Sequence, residues 1–140
     1  MDQESIVYGC IKDVAPLNHQ IERLRTNREA MLCLPFGEAW PFVCQEMFSI
    51  PDIDNLNTNY HTQVMHFGAS YKAVEYEWEQ WVKEFESLLS KMYWVSATVH
   101  LETELYGIHT FIWEAAGGNH VPGAGNIKVR CEWSREGALA

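Results

Sequence analysis

The chain has no C-x-x-C pair, no H-E-x-x-H, no G-x-S-x-G and no glycine loop backed by a lysine. Each absence removes a chemistry. Cys10, Cys33, Cys44 and Cys131 lie far apart, which argues against a zinc or dithiol motif and fits reduced thiols. Without H-E-x-x-H or G-x-S-x-G there is no metalloprotease pattern and no nucleophile elbow. Gly117-Gly118 and Gly123-Ala124-Gly125 lack the strand–loop–helix setting that cradles phosphate, and read as linker. No stretch approaches the roughly 20 apolar residues of a membrane span. The acidic start Met1-Asp2-Gln3-Glu4 leads into no apolar run of signal-peptide length, so the expected location is cytoplasmic.

Positive charge is scarce too. Ten Lys and Arg stand against 19 Asp and Glu, a formal net charge of −9. Nucleic-acid binding rests on cations against phosphate, and anionic membranes repel such a chain, so neither is expected as a partner. A basic protein or a cationic ligand is the natural partner, because a field of this sign speeds the encounter.

What is present is core. Of 140 residues 47% are hydrophobic, with six each of Trp, Tyr and Phe, enough for one folded domain without staples. Residues 1–116 are expected to form it. Residues 117–140 read as a Gly-rich connector and loosely ordered tail, with Ile127 to Trp133 as one edge strand.

The pattern alternates between strand and helix. Ser5 to Lys12 is β-rich, and Asp13 and Pro16 signal a helix start. Leu17, Ile21, Leu24, Met31 and Leu32 mark that helix's apolar stripe, which ends before Pro35. Arg23, Arg25 and Arg28 lie along it as a solvated face pairing with nearby acids. Phe36 to Pro41 reads as a turn and Phe42 to Ile50 as a second strand. Asp52, Asp54 and Asn55 lack the glycine and distal Glu of a calcium loop, so Pro51 to Tyr60 is a polar loop.

A third strand spans His61 to Phe67. Gly68-Ala69-Ser70 then opens a long helix with Ser70 as N-cap. Its stripe is Tyr71, Val74, Trp78, Trp81, Val82, Phe85, Leu88, Leu89 and Met92, against an outer face bearing Glu75, Glu77, Glu79, Glu84 and Glu86. Tyr93 to Glu104 and Tyr106 to Ala115 are the fourth and fifth strands. The order predicts an α+β, ferredoxin-like split βαβ sandwich: an antiparallel-rich sheet, two helices on one face, and an extra terminal strand or hairpin.

If helices cover one sheet face, the other is open. Alternation places Val95, Ala97, Val99 and Leu101 inward, and Trp94, Ser96, Thr98, His100, Glu102 and Glu104 outward. The β-branched row of the fifth strand suits the core, which sends His109, Phe111 and Trp113 outward. His66, His100 and His109, with Glu102, would then share the open face and suit a trigonal metal site. Cross-strand histidines without ligand spacing are the plainer explanation, and no metal or cofactor is expected. Glu102 and Glu104, roughly 7 Å apart along a strand, recur too commonly on solvated strands to mark a hydrolase. Most of the cysteines are expected to be buried packing residues, with Cys131 in the tail left unassigned.

The block HFGASYKAVEYEWEQWVKEFESLLSKMYWVSATVHLETELYGIHTFIWE, His66 to Glu114, with YGCI at Tyr8 to Ile11, resembles small bacterial immunity proteins of polymorphic toxin systems. Such proteins accompany Rhs, contact-dependent or type VI secretion effectors. The resemblance lies in general character, since the chain is small, acidic, aromatic-rich, α+β and without a catalytic signature. It implies a non-enzymatic protein that binds a cognate, basic toxin domain and blocks it. Trp94, Trp113, Tyr106 and Tyr60 are the expected anchors. Glu102, Glu104, Asp52, Asp54, Glu75 and Glu79 are the expected charges. The alternative is a small metal- or ligand-binding enzyme using the His66, His100 and His109 face as half of a dimeric barrel. A homodimer stays open in either case.

Overall fold

Strand β1, Glu4–Val14, buries Ser5, Val7, Ile11 and Asp13 on one side and turns the intervening residues outward. That two-residue period makes it the backbone of a sheet whose other strands register against it. The computed structural model describes residues 4–14, 20–35, 42–50, 62–115, 117–125 and 127–134. After β1 come helix α1 (Gln20–Leu32), strand β2 (Thr62–Lys72), helix α2 (Trp78–Leu89) and strands β3 (Ser96–Thr103), β4 (Gly107–Ala115) and β5 (Ile127–Ser134). The five strands form one sheet in the order β2-β1-β3-β4-β5, every neighbouring pair antiparallel. Since β2 and β3 both run against β1, they are parallel to each other. Helix α2 joins them across β1, a split βαβ unit.

Both helices contribute to one core with the inner strand rows. Ala30 and Met31 of α1 join Trp81, Phe85, Leu88 and Leu89 of α2 above Val7, Ile11, Met65, Phe67, Ala97, Val99, Leu101 and Trp113. Three rings run continuously along α2: Trp78 stacks on Trp81 (4.7 Å, 6°), Trp81 on Phe85 (5.1 Å), and Phe85 meets Trp113 of β4 edge-on. Fully burying one such side chain contributes about 1.5–3 kcal/mol. The buried indoles also satisfy their N–H groups. Trp81 donates to Tyr71 Oη, Trp94 to the Leu89 carbonyl, and Trp113 to Glu86.

Several expectations change. Phe42 to Ile50 is no strand: Gln45–Met47 forms a 3-10 turn, and only Phe48 bridges β2, at Phe67. Gly68-Ala69-Ser70 is not a helix start but the continuation of β2, because β1 pairs with all of it from Glu4↔Lys72 to Val14↔Thr62. Tyr71 therefore points inward from a strand, its hydroxyl donating to the Phe42 carbonyl. Burial pushes that phenol's pKa up to about 12. Helix α2 begins only at Trp78, after Ala73 takes a left-handed conformation (φ 53°) and Val74–Glu77 makes a 3-10 turn. The hydroxyl that caps this turn is distant in sequence: Ser5 Oγ accepts from Val74 N–H and donates to Glu75.

Helix α1 ends at Leu32, and Ile21 and Leu32 of its expected apolar stripe are exposed. Its buried face is Leu24, Asn27, Ala30 and Met31. Asn27 exchanges hydrogen bonds with the backbone of Tyr93, and Arg23 grips buried Asp13 at the end of β1 (3.0 and 2.5 Å) beneath its stack on Tyr93. Polar contacts, rather than a broad apolar stripe, seat this helix. Beyond β4, Gly117, Gly118 and Gly123 take positive φ values, and the segment is pinned by His120. That ring is fully buried, stacks on Trp94 at 4.9 Å, and bonds Met92 and Ala124 carbonyls. Residues 15–19, 36–41, 51–61 and 135–140, which carried the proline-led helix start, a turn, the polar loop and the tail, lie outside the described residues.

One close approach demands a glycine. A Cβ on Gly9 would sit 1.9 Å from the Thr98 carbonyl oxygen and 3.1 Å from the Phe67 ring. Gly9→Ala should therefore destabilise the fold by about 3 kcal/mol, the upper range for overpacking. Urea unfolding with an unchanged m-value measures it; a loss below about 1 kcal/mol would mean that β1 and β3 can separate there freely.

Candidate acidic interface

Antiparallel register decides what meets at each end of the sheet. Glu4 pairs with Lys72, Ser5 with Thr103, and Thr103 with Gly107, so the start of β1, the ends of β2 and β3 and the start of β4 share one pole. Helix α2 also begins there, because β2 delivers the chain to it. Glu4, Ile6, Glu102, Thr103 and Glu104 line a shallow cavity of about 160 Å³. At the same end, on the helix-covered side, Glu75, Tyr76, Glu77, Trp78, Glu79, Gln80 and Lys83 line a wider one of about 580 Å³.

The two cavities are tied by contacts. Ser5 of β1 holds Glu75 at 2.8 Å, and the Tyr76 hydroxyl bonds Tyr106 in the β3–β4 turn. That turn is fixed by Tyr106 N–H donating to Thr103 Oγ1 and by Gly107 at φ 75°. The Tyr76 phenol titrates above its ordinary value, first because it is the donor in the bond to Tyr106 and then because a charged Tyr106 would repel it. Six carboxylates, Glu4, Glu75, Glu77, Glu79, Glu102 and Glu104, thus stand at this end of the sheet on its two sides, with exposed Tyr76, Leu105 and Tyr106. Only Lys72 and Lys83 lie among them from the described residues.

Part of this charge has a structural use. Glu77 and Glu79 sit at the N-terminus of α2, where the helix dipole favours anions. The dipole does not account for Glu4, Glu102 and Glu104, which come from strand ends and a turn. A surface with this composition can attract and hold cations.

The expected site residues divide. Glu75, Glu79, Glu102, Glu104 and Tyr106 converge on the pole. Tyr60, Asp52 and Asp54 lie outside the described residues. Trp94 and Trp113 are fully buried, so neither offers area to a partner. The row of β4 is reversed from expectation: His109, Phe111 and Trp113 face α2, while Ile108, Thr110 and Ile112 face outward. Ring volume decides this. The space under α2 is filled by an aromatic ladder that β-branched residues would leave hollow.

That reversal also divides the histidines. His100 faces outward against Tyr8 (4.9 Å) and bonds Thr110, whereas His109 lies on the opposite face, its pKa lowered by burial. His66 is outward, two strand spacings across and two residues along from His100, about 12 Å by ladder spacing. The trigonal set of the alternative reading does not assemble, and among the described residues no three His, Cys, Asp or Glu side chains form a metal site. Burial, reinforced by Glu132, raises the Cys131 thiol, the opposite of what a thiolate nucleophile needs.

Tyr76 and Leu105 escaped the sequence pattern; only the strand register reveals that the helix start and the β3–β4 turn adjoin. No described helix is long and apolar enough to cross a membrane. The chain matches no protein-family model, no curated protein and no solved structure.

Tyr106→Phe tests the join between helix start and turn. It keeps the ring but removes the acceptor, so the Tyr76 pKa should fall back toward the ordinary value. A pH titration of the tyrosine ring carbons by NMR reads this, and an unmoved Tyr76 would separate the two halves of the pole.

Proposed function

We propose that this protein is an immunity protein: it binds a basic toxin domain of a polymorphic toxin system through the acidic pole and so blocks that domain's action. The observation that carries this is the convergence of six carboxylates and exposed tyrosines from separate chain segments on one end of the sheet. Clustered like charge steers an oppositely charged partner, and tyrosines supply rigid contact area at low entropic cost. Tyr76 and Tyr106 take the anchoring role, with Glu75, Glu79, Glu102 and Glu104 orienting the partner. The toxin is cytoplasmic when it acts, and so is this protein.

The proposal extends to the fold, which we read as ferredoxin-like. The succession of β1, α1, the Phe42–Ile50 segment, β2, α2 and β3 supports that reading, with the second strand reduced to the Phe48 bridge. β4 and β5 then form the added terminal hairpin.

Replacing Glu102 and Glu104 together by Lys tests the pole. Affinity isolation from the host at low and moderate salt should recover one stoichiometric partner, a basic C-terminal domain of a large secreted protein, with wild type. The variant should bind it at least tenfold more slowly and with a flatter salt dependence. Expression of that domain should be toxic unless this chain is present. Equal association by the variant, or a partner with no toxicity to suppress, would overturn the proposal.

A further inference from the structure

Two helices packed on one face of a five-stranded sheet need not cover it evenly. Here the shortfall falls at β5. Val129 lies on the helix-facing row, opposite Trp113, yet is 46% exposed. Between it and α2 runs a groove of about 320 Å³, walled by Trp78, Val82, Phe111 and Val129 with Glu79, Lys83 and Glu86 along its rim. Its walls are apolar and its rim carries two carboxylates to one amine. Trp78, Glu79 and Lys83 also line the larger cavity of the acidic pole, so groove and pole are continuous.

Trp78 differs from the three buried tryptophans. Trp81, Trp94 and Trp113 each donate an indole hydrogen bond, whereas Trp78 Nε1 is shut off from solvent with no acceptor among the described residues. An unmet donor costs about 1–3 kcal/mol, so a shift of this ring on binding breaks no bond and can relieve that cost.

We infer that the groove is the anchor pocket of the interface, and that it takes one large apolar side chain carried on a Lys- or Arg-rich segment of the partner. The inference rests on the proposed inhibitor function and adds to it what the acidic pole alone does not specify. Apolar walls reward a leucine- or phenylalanine-sized group at about 25 cal/mol per Å² removed from water. Glu79 and Glu86, and beyond them Glu75 and Glu77, require that its flanking residues be cationic. Deep apolar contact surrounded by charge is the arrangement in which a few residues carry most of an interface's affinity.

The probe is the peptide Lys-Lys-Leu-Lys-Lys with blocked termini, titrated to millimolar concentration against the ¹⁵N-labelled full chain. Its readout is the Trp78 indole N–H resonance, assigned from Trp78→Phe. That resonance should shift and saturate, at least fivefold more weakly when Ala replaces Leu, and not at all when Glu replaces the lysines. Val129→Trp, a substitution on an exposed strand position, should fill the groove and abolish the shift while the other indole signals keep their places. No Trp78 shift, equal binding of the Ala peptide, or an unaffected Val129→Trp variant would overturn the inference. The same variant separates it from the function it rests on. A toxin partner captured equally by Val129→Trp, but lost on Glu102 and Glu104 reversal, removes the groove and leaves the inhibitor standing. Absence of any toxin partner removes the inhibitor, while the peptide titration still decides the groove.

Discussion

The ring ladder along α2 is the contact on which the rest of the molecule depends. Trp78, Trp81 and Phe85 occupy one side of the helix, and Phe85 hands the contact to Trp113 in β4 and Phe67 in β2. Aromatic pairs add about 0.5–1.5 kcal/mol beyond the area they bury, and they also fix orientation, because tilted and edge-on rings tolerate little rotation. Once these rings are placed, α2 has one position over the sheet. Its N-terminus must then fall at the end where β1 starts and β3 stops. The acidic pole is therefore a consequence of core packing and not a loose surface feature.

The same ladder explains the uneven cover of the sheet. Helix α2 is tied by its rings to β2 and β4, and α1 is held by Asn27 and Arg23 near the opposite end. Neither covers Val129 of β5. The row Ser96, Thr98, His100 and Glu102 faces away from both helices, as alternation in β3 implies, with Ile108, Thr110 and Ile112 beside it. Among the described residues, one face is thus free of helices and the other is open only at its margin. The margin adjoins the acids, and that adjacency gives the groove its chemical meaning.

Much of this was legible in the sequence where local pattern and tertiary demand agree. The inward row of β3, the long amphipathic helix through Trp81 and Phe85, and the turn before Gly107 all follow from period and turn chemistry. Local pattern failed where distant segments decided. Gly68-Ala69-Ser70 has the composition of a helix start, but eleven consecutive partners on β1 claim it for a strand. Trp113 sits on a half-buried strand whose facing rows are both apolar, and only the position of α2 determines which row points inward. His120 lies in a run of glycines that suggests a linker, yet its ring is enclosed beside Trp94. Of the site, the charges were visible as composition. Their convergence was not, since it depends on the register of strands separated by about 70 to 100 residues.

Six carboxylates lie at one end of the sheet, and the helix dipole compensates those at the start of α2. The others, at strand ends and in the β3–β4 turn, have no such compensation. A cationic partner approaching that end would be attracted by all of them together. Acids spread evenly around the surface would give the same net charge without a direction of approach. The arrangement of charge at the pole, more than its amount, is what makes this end of the sheet suited to recognition.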